Sequence, residues 1–284
     1  MVIDFQHHLV PINLAKKLGM YSEEVSPTKE DAALEDCRVI NDEFGALQRQ
    51  YPGRFVGLAH APVLEGKAAL AELDRAIQDL GLRGVTITSQ IDGVPLDSPR
   101  LSEFYARVSA LDVPIFVHPA LIPKGYDLVK DYDLARVLGR ELDLAVAATR
   151  LVAGGVLERF PNLKFVIGHF GGGISAIKER LVAKGYRFGT LKRPFEEYFD
   201  LLYFDMAGFE GGLGALRCGL LGIKPERLVF ATDYPQDFTG ACTDTGKGMG
   251  AIRAYIEAVR GLELAAEVKD GILGNTAARL LKLT

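Results

Sequence analysis

Cysteine is scarce. Cys37, Cys218 and Cys242 are the only three in 284 residues, too few and too scattered for a disulfide framework or a Cys-x-x-Cys metal site, so they read as reduced thiols. Long apolar runs are missing as well: no stretch approaches the roughly 18 residues needed to span a bilayer. The opening Met1-Val2-Ile3-Asp4 lacks the basic region and apolar core of a signal peptide. The expectation is a cytoplasmic protein with no membrane partner. Nor is there an excess of one charge. With 33 basic and 37 acidic residues the formal net charge is −4, which builds no field to gather polyanions and argues against nucleic acid as a partner. Internal repeats and low-complexity tracts are absent too.

What is present is enough apolar sequence for one sizeable core. Hydrophobic residues make up 48% and charged residues 25% of the chain, and the length suits a single α/β barrel domain covering residues 1–284. Short β-branched or aromatic runs fall at 2–5, 55–59, 84–87, 115–117, 164–167, 202–204 and 228–231. Helical spacing of apolar residues fills the gaps at 68–80, 101–111, 133–160, 174–184 and 250–262, and Gly81 closes the first of these. Alternation of this kind predicts parallel βαβ units and hence a (β/α)8 TIM barrel. Seven strands are clear. The eighth must lie near 268–273, before a last helix at 275–281, so the barrel is expected to be distorted there.

The polar residues sit where a parallel barrel places its chemistry, at the C-terminal ends of strands. His7 and His8 follow the first run, His60 the second, His118 the fourth, His169 the fifth and Asp233 the seventh. Strand alternation puts Asp4, Gln6 and His8 on one face and Phe5 and His7 on the other. With Phe5 assigned to the helical layer, Gln6 and His8 face the barrel mouth and His7 faces the helices, unless irregular backbone reverses His7. Imidazole, carboxylate and amide oxygen suit Zn²⁺, Mn²⁺ or a similar ion, and ligands from separate strands can converge on one site. Each placement has a plainer rival. His60 is assigned as a hydrogen-bonded structural residue, and Asp233 could instead cap a turn with Tyr234-Pro235. Gly171, Gly172 and Gly173 could cradle a phosphate, but without a following Lys-Ser/Thr, close approach of backbone to a small ligand is the better reading.

The segments Ile3-Asp4-Phe5-Gln6-His7-His8, Asn41-Asp42-Glu43 with Tyr51-Pro52-Gly53-Arg54-Phe55, Phe116-Val117-His118-Pro119, Phe160-Pro161-Asn162-Leu163 leading to Gly168-His169-Phe170-Gly171-Gly172, and Ala231-Thr232-Asp233-Tyr234-Pro235 together resemble the amidohydrolase superfamily. In particular they resemble its branch around aminocarboxymuconate-semialdehyde decarboxylase. The resemblance spans nearly the whole chain. It implies a barrel with one divalent metal, zinc first and manganese or magnesium as alternatives, in which His118 and Asp233 are ligands and the first strand supplies two more. His169 then acts beside the metal as acid, base or electrostatic partner, and Asp233 shares in proton transfer. It also implies a homodimer, for which the apolar segment 208–221 is a candidate contact. One position departs from the pattern: the family commonly carries His-x-His or Glu-x-His where this chain has Gln6-His7-His8. Gln6 could ligate through its oxygen, hold a metal-bound water, or mark a site of weakened affinity, and His7 could ligate from a distorted strand end.

The function these features imply is metal-dependent decarboxylation of a small cyclic or unsaturated carboxylic acid, with His169 moving the proton. Hydrolysis of a lactone or amide is the alternative that the same ligands permit. A non-catalytic binding protein on a degenerate barrel is the alternative from another class. Arg38 and Arg180 are candidate partners for a substrate carboxylate, although a solvated helix face explains them equally well.

Overall fold

The computed structural model describes residues 1–8, 34–189, 191–208, 213–234 and 245–283. Five parallel strands form its centre, in the order Val85–Thr88, Ile115–His118, Phe165–Ile167, Tyr203–Asp205 and Leu228–Val229. Each matches a run expected from the sequence. Two further runs flank this sheet as extended segments with single parallel bridges, Ala59 to Val85 on one side and His7 to Tyr234 on the other. The first segment lies directly along the seventh, through hydrogen bonds from Phe5 N to Phe230 O (2.9 Å), Asp233 N to Gln6 O (3.0 Å) and His8 N to Tyr234 O (2.8 Å). Seven strand positions therefore curl toward closure as a TIM barrel.

The eighth position is not a strand. Residues expected to supply it form a short helix, Ala266–Asp270, followed by a π-helical turn, Gly271–Asn275. That turn still performs a strand's task, because the Ile272 carbonyl accepts from Phe230 N and the Leu273 carbonyl accepts from Ile3 N, both at 2.8 Å. The backbone amides of both neighbouring segments are thus satisfied without a ladder. Gly274 is needed where the turn meets the chain's beginning, since a Cβ there would lie 2.7 Å from Met1 O.

Alternation along the strands divides the core in two. Ile115, Val117, Phe165, Ile167, Phe204, Leu228 and Phe230 face a large cluster shared with helix residues such as Leu144, Leu151 and Leu216. Phe116, Val166, Val229 and Ala231 face the barrel interior, where Ala277, Leu280 and Leu281 of the last helical segment close one end. Phe5 belongs to this inner cluster, with its ring 5.6 Å from that of Phe116. Its assignment to the helical layer is therefore overturned. The chain bends at Phe5 and Gln6, so strict alternation fails and Phe5, Gln6 and His8 all turn inward.

Of the helices, Lys67–Gln78 and Ser102–Leu111 follow the expected ranges closely. The long pattern at 133–160 is broken into a π-helical turn, Ala135–Gly139, a helix, Arg140–Ala153, and a final turn, Val156–Arg159. The break comes at Gly154, where a Cβ would lie 2.4 Å from that of Asp97, and Gly155, which has φ of 68°. Helix Leu34–Gln50 had no counterpart in the sequence reading. The apolar segment 208–221 runs into the helix Leu213–Gly222, and its residues 209–212 lie outside the described residues, as do Pro235 and Cys242. No described helix is long and apolar enough to cross a membrane.

Candidate metal centre

His118 is placed by the strand Ile115–His118 and held extended by Pro119, which disfavours helical backbone at the preceding residue. Its Nδ1 lies 2.9 Å from the Pro119 carbonyl. A carbonyl can only accept, so Nδ1 carries the proton and Nε2 presents a lone pair. Burial, reinforced by the neighbouring His8, pushes the ring down to about 3, so the neutral form is favoured. A neutral imidazole with its far nitrogen fixed by a carbonyl is the usual form of a metal ligand.

Asp233 comes to the same place from the seventh strand position, with φ of 56°. Left-handed backbone at a non-glycine residue costs about 1–2 kcal/mol, and the surroundings stabilise it: Thr232 donates from both N and Oγ1 to Asp4 (2.9 and 2.5 Å). Thr232 Oγ1 also accepts from Tyr234 N at 3.1 Å, which gives the capping of that turn to Thr232. The Asp233 carboxylate turns inward, where Oδ1 accepts from Gln6 Nε2 at 2.5 Å and pairs closely with His8 Nε2. One ligand atom each from His8, His118 and Asp233 falls within 4.8 Å of the others. The His8 and His118 rings stand edge to face, 5.3 Å apart.

His169 lies beside this group, its Nε2 3.8 Å from Asp233 Oδ2. Its backbone N donates to Asp205 Oδ1 (2.7 Å) and its Nδ1 meets Glu141 Oε1 (2.9 Å). Burial alone would lower this imidazole, but the Glu141 hydrogen bond and charge, with Asp205 and Asp233, outweigh it and push the group up to about 9. Burial pushes Asp205 up to about 7, even though the facing His169 pulls it down. The two histidines that sequence placed alike thus differ: burial pushes His118 toward the neutral form, and Glu141 pushes His169 toward the charged one.

The glycines after His169 serve packing. Residues 169–173 all have positive φ, and a Cβ on Gly172 would lie 1.8 Å from the Glu141 carbonyl oxygen. The tight turn lets the helix Arg140–Ala153 approach and deliver Glu141, so Gly172 is needed for the close approach of a helix. Gly208 has a similar part: a Cβ there would fall 2.2 Å from the His169 ring.

Six buried side-chain atoms among the described residues have no hydrogen-bond partner: Gln6 Oε1, His118 Nε2, Arg140 Nε, Glu141 Oε2, His169 Nε2 and Asp205 Oδ2. An orphaned buried polar atom costs about 1–3 kcal/mol, and these six belong to one neighbourhood. A neighbouring cavity of about 280 Å³, lined by Ser89, Gln90, Lys124, Tyr126, Asp143 and others, lacks this mark. There the Asp143 carboxylate accepts from Ser89, Gln90 and Tyr126. The donor set at the barrel mouth, two imidazoles, a carboxylate and an amide oxygen, fits a divalent cation.

The model of the family described as Amidohydrolase matches residues 4–283. The chain belongs to the amidohydrolase family. Among its relatives, the 2-amino-3-carboxymuconate-6-semialdehyde decarboxylase of Dictyostelium discoideum is 33% identical over 261 residues, covering 90% of this chain and 68% of that protein. The crystal structure of 2,6-dihydroxybenzoate decarboxylase from Rhizobium matches with a TM-score of 0.76 and 26% identity over 91% of this chain and 82% of the other. Dihydroxybenzoic acid decarboxylase from Polaromonas sp. JS666, solved with bound manganese and the inhibitor 2-nitroresorcinol, shares the fold at 20% identity, with a TM-score of 0.77 over 98% of this chain and 96% of the other. The chain spans about two thirds of the length of the curated relatives it matches.

In this amidohydrolase the structure brings Gln6, His8, His118, Asp233 and His169 together and leaves other candidates outside. His7 does not face the helical layer. It is exposed at the rim, stacked on Tyr234 with ring centroids 5.0 Å apart. His60 is the hydrogen-bonded residue expected, tied to Asn41 through both backbone groups, and burial pushes it down to about 4. Arg38 is paired with Glu72 at 3.5 Å and Arg180 is exposed. Glu141, Asp205 and Arg140 were missed. Asp205 follows the sixth strand run and was open to the same strand-end argument. Glu141 and Arg140 gave no signal, because charged residues in the first turn of a helix look like ordinary surface.

Proposed function

We propose that this amidohydrolase is a metal-dependent decarboxylase acting on a small cyclic or unsaturated carboxylic acid. The observation that carries the reading is a buried His169, held at Nδ1 by Glu141 and set 3.8 Å from a carboxylate that also meets His8 and lies in metal-binding range of His118. His8, His118 and Asp233 would hold the ion, with Gln6 Oε1 as the further oxygen donor. When bound, a divalent ion supplies Lewis acidity that orients and polarises an acidic oxygen of the substrate.

The protein's own groups account for the proton. His169 Nε2 carries one it shares with no hydrogen-bond acceptor, and Glu141 fixes the opposite nitrogen. Delivered to the substrate carbon that bears the carboxylate, that proton replaces it. The C–C bond then breaks, its electron pair stays with the substrate, and CO₂ leaves. Asp205 and Glu141 hold the imidazole in position throughout. The relatives support the reading by name, as decarboxylases of carboxylated rings or muconates. Zinc is the proposed ion, on the strength of the two imidazoles, and manganese is the alternative that the Polaromonas structure offers.

The test is release of CO₂ from a panel of hydroxybenzoates and unsaturated diacids by protein reconstituted with Zn²⁺ or Mn²⁺. Turnover of lactones or amides without CO₂ would overturn decarboxylation, and a chain that stays empty of metal would overturn catalysis by this site altogether. We also read the protein as a homodimer; Leu213 and Leu221, exposed on the helix Leu213–Gly222, support it. Light scattering should give twice the monomer mass of 30.9 kDa, and the monomer mass at all micromolar concentrations would refute it.

A further inference from the structure

Arg140 takes no part in the cation-binding cluster or in holding His169. It opens the helix Arg140–Ala153, one residue before the Glu141 that holds His169, and that helix packs closely on the His169–Gly173 turn. Its side chain is half-buried and its Nε is fully withdrawn from solvent with no hydrogen-bond partner. No ion pair of Arg140 occurs among the described residues. A guanidinium cannot shed its charge to relieve this, and a buried N–H without an acceptor is costly unless something else supplies one. The other charged side chains of the site each meet at least one protein group: Glu141 meets His169, Asp205 accepts from the backbone N of His169 and Ala207, and Asp233 meets Gln6 and His8. Arg140 is the cationic group without such a partner, and it adjoins the Glu141 that meets His169.

We propose that Arg140 recognises a second acidic group on the substrate, one that is not lost in the reaction, so that the site selects acids carrying two anionic groups over simple monocarboxylates. This rests on the proposed function for the word substrate, but not for the recognition itself. A planar guanidinium pairs with a carboxylate through two parallel N–H bonds, and Nε is one of the donors such a fork uses. His8, His118, Asp233 and Gln6 would hold the ion that polarises the leaving end of the substrate, and His169 would face the carbon that bears the departing carboxylate. Arg140 fixes the end of the molecule that stays and so orients the scissile bond.

The experiment is calorimetric binding, which needs no turnover. Benzoate and the three benzenedicarboxylates are titrated into Mn²⁺-loaded protein, for the wild type, Arg140→Lys and Arg140→Met. The wild type should bind the best dicarboxylate about tenfold or more tighter than benzoate, the ratio one charge-assisted hydrogen bond contributes. Arg140→Met should bind both alike with metal content and melting temperature kept, and Arg140→Lys should keep part of the preference, since a point charge replaces the fork. Absence of any preference in the wild type would overturn the proposal. So would a preference that survives in Arg140→Met, or, should that variant not fold, an undiminished preference in Arg140→Lys. Failure of the decarboxylase reading looks different: no CO₂ from any acid, with the binding preference and its dependence on Arg140 intact.

Discussion

Replacing Gln6 by leucine separates what this residue does for the metal from what it does for the fold. Gln6 is 3% exposed and donates from Nε2 to Asp233 Oδ1 at 2.5 Å, while its Oε1 has no partner. In the metal-free protein, Gln6→Leu removes a hydrogen bond to a carboxylate, a loss of about 1.5–3 kcal/mol, and also one orphaned buried oxygen, a gain of about 1–3 kcal/mol. The two nearly cancel, so the melting temperature of the metal-free variant should stay close to that of the wild type. Metal binding has no such compensation. The variant loses the oxygen donor, or the donor that orients Asp233, and either loss weakens binding by about 1.5–3 kcal/mol, which is roughly 10–150-fold. Calorimetry with Zn²⁺ and Mn²⁺ against a competing chelator reads this directly. Gln6→His should move the other way, because an imidazole nitrogen replaces a weak oxygen donor. Unchanged affinity in a folded Gln6→Leu protein would refute the reasoning and remove Gln6 from the site.

His118→Ala should abolish measurable metal binding and CO₂ release while circular dichroism shows the fold retained; a folded variant with full metal content would exclude His118 as a ligand. His169→Asn should keep its metal and lose turnover by about 10²-fold or more, the scale of a lost proton donor; loss of the metal as well would make His169 a ligand. The metal-free wild type should lose stability as pH rises from about 6.5 to 9. The folded imidazole sits near 9, above its unfolded value of 6.5, so its contribution is complete below 6.5 and gone once the proton leaves. A melting curve just as steep in pH for His169→Asn would refute this. Gly172→Ala should destabilise the fold by about 2–4 kcal/mol, from left-handed backbone at φ of 62° and a Cβ 1.8 Å from the Glu141 carbonyl, and an unchanged melting temperature would show that the helix can withdraw without loss.

By itself the sequence determined the barrel, seven of its strand positions, and the residues at the mouth. Each rests on local periodicity: apolar runs of strand length name the strands, and a polar residue directly after such a run projects where a parallel barrel opens to solvent. That is why Gln6, His8, His118, His169 and Asp233 were legible one by one. Only the tertiary structure decided how they differ. Nothing local distinguishes His118 from His169, since both follow a buried strand. The difference comes from the partner each meets, a carbonyl one residue away for His118 and a carboxylate 28 residues back in sequence for His169. The bend that turns Phe5 inward and the π-helical turn that stands in for the eighth strand were hidden for the same reason. Backbone amides need acceptors but not a particular secondary structure to supply them, and which one does so is settled by distant segments packed against each other. Arg140 and Glu141 read as surface charges until the glycine turn lets their helix approach closely enough to place one beside His169 and strip the other of partners.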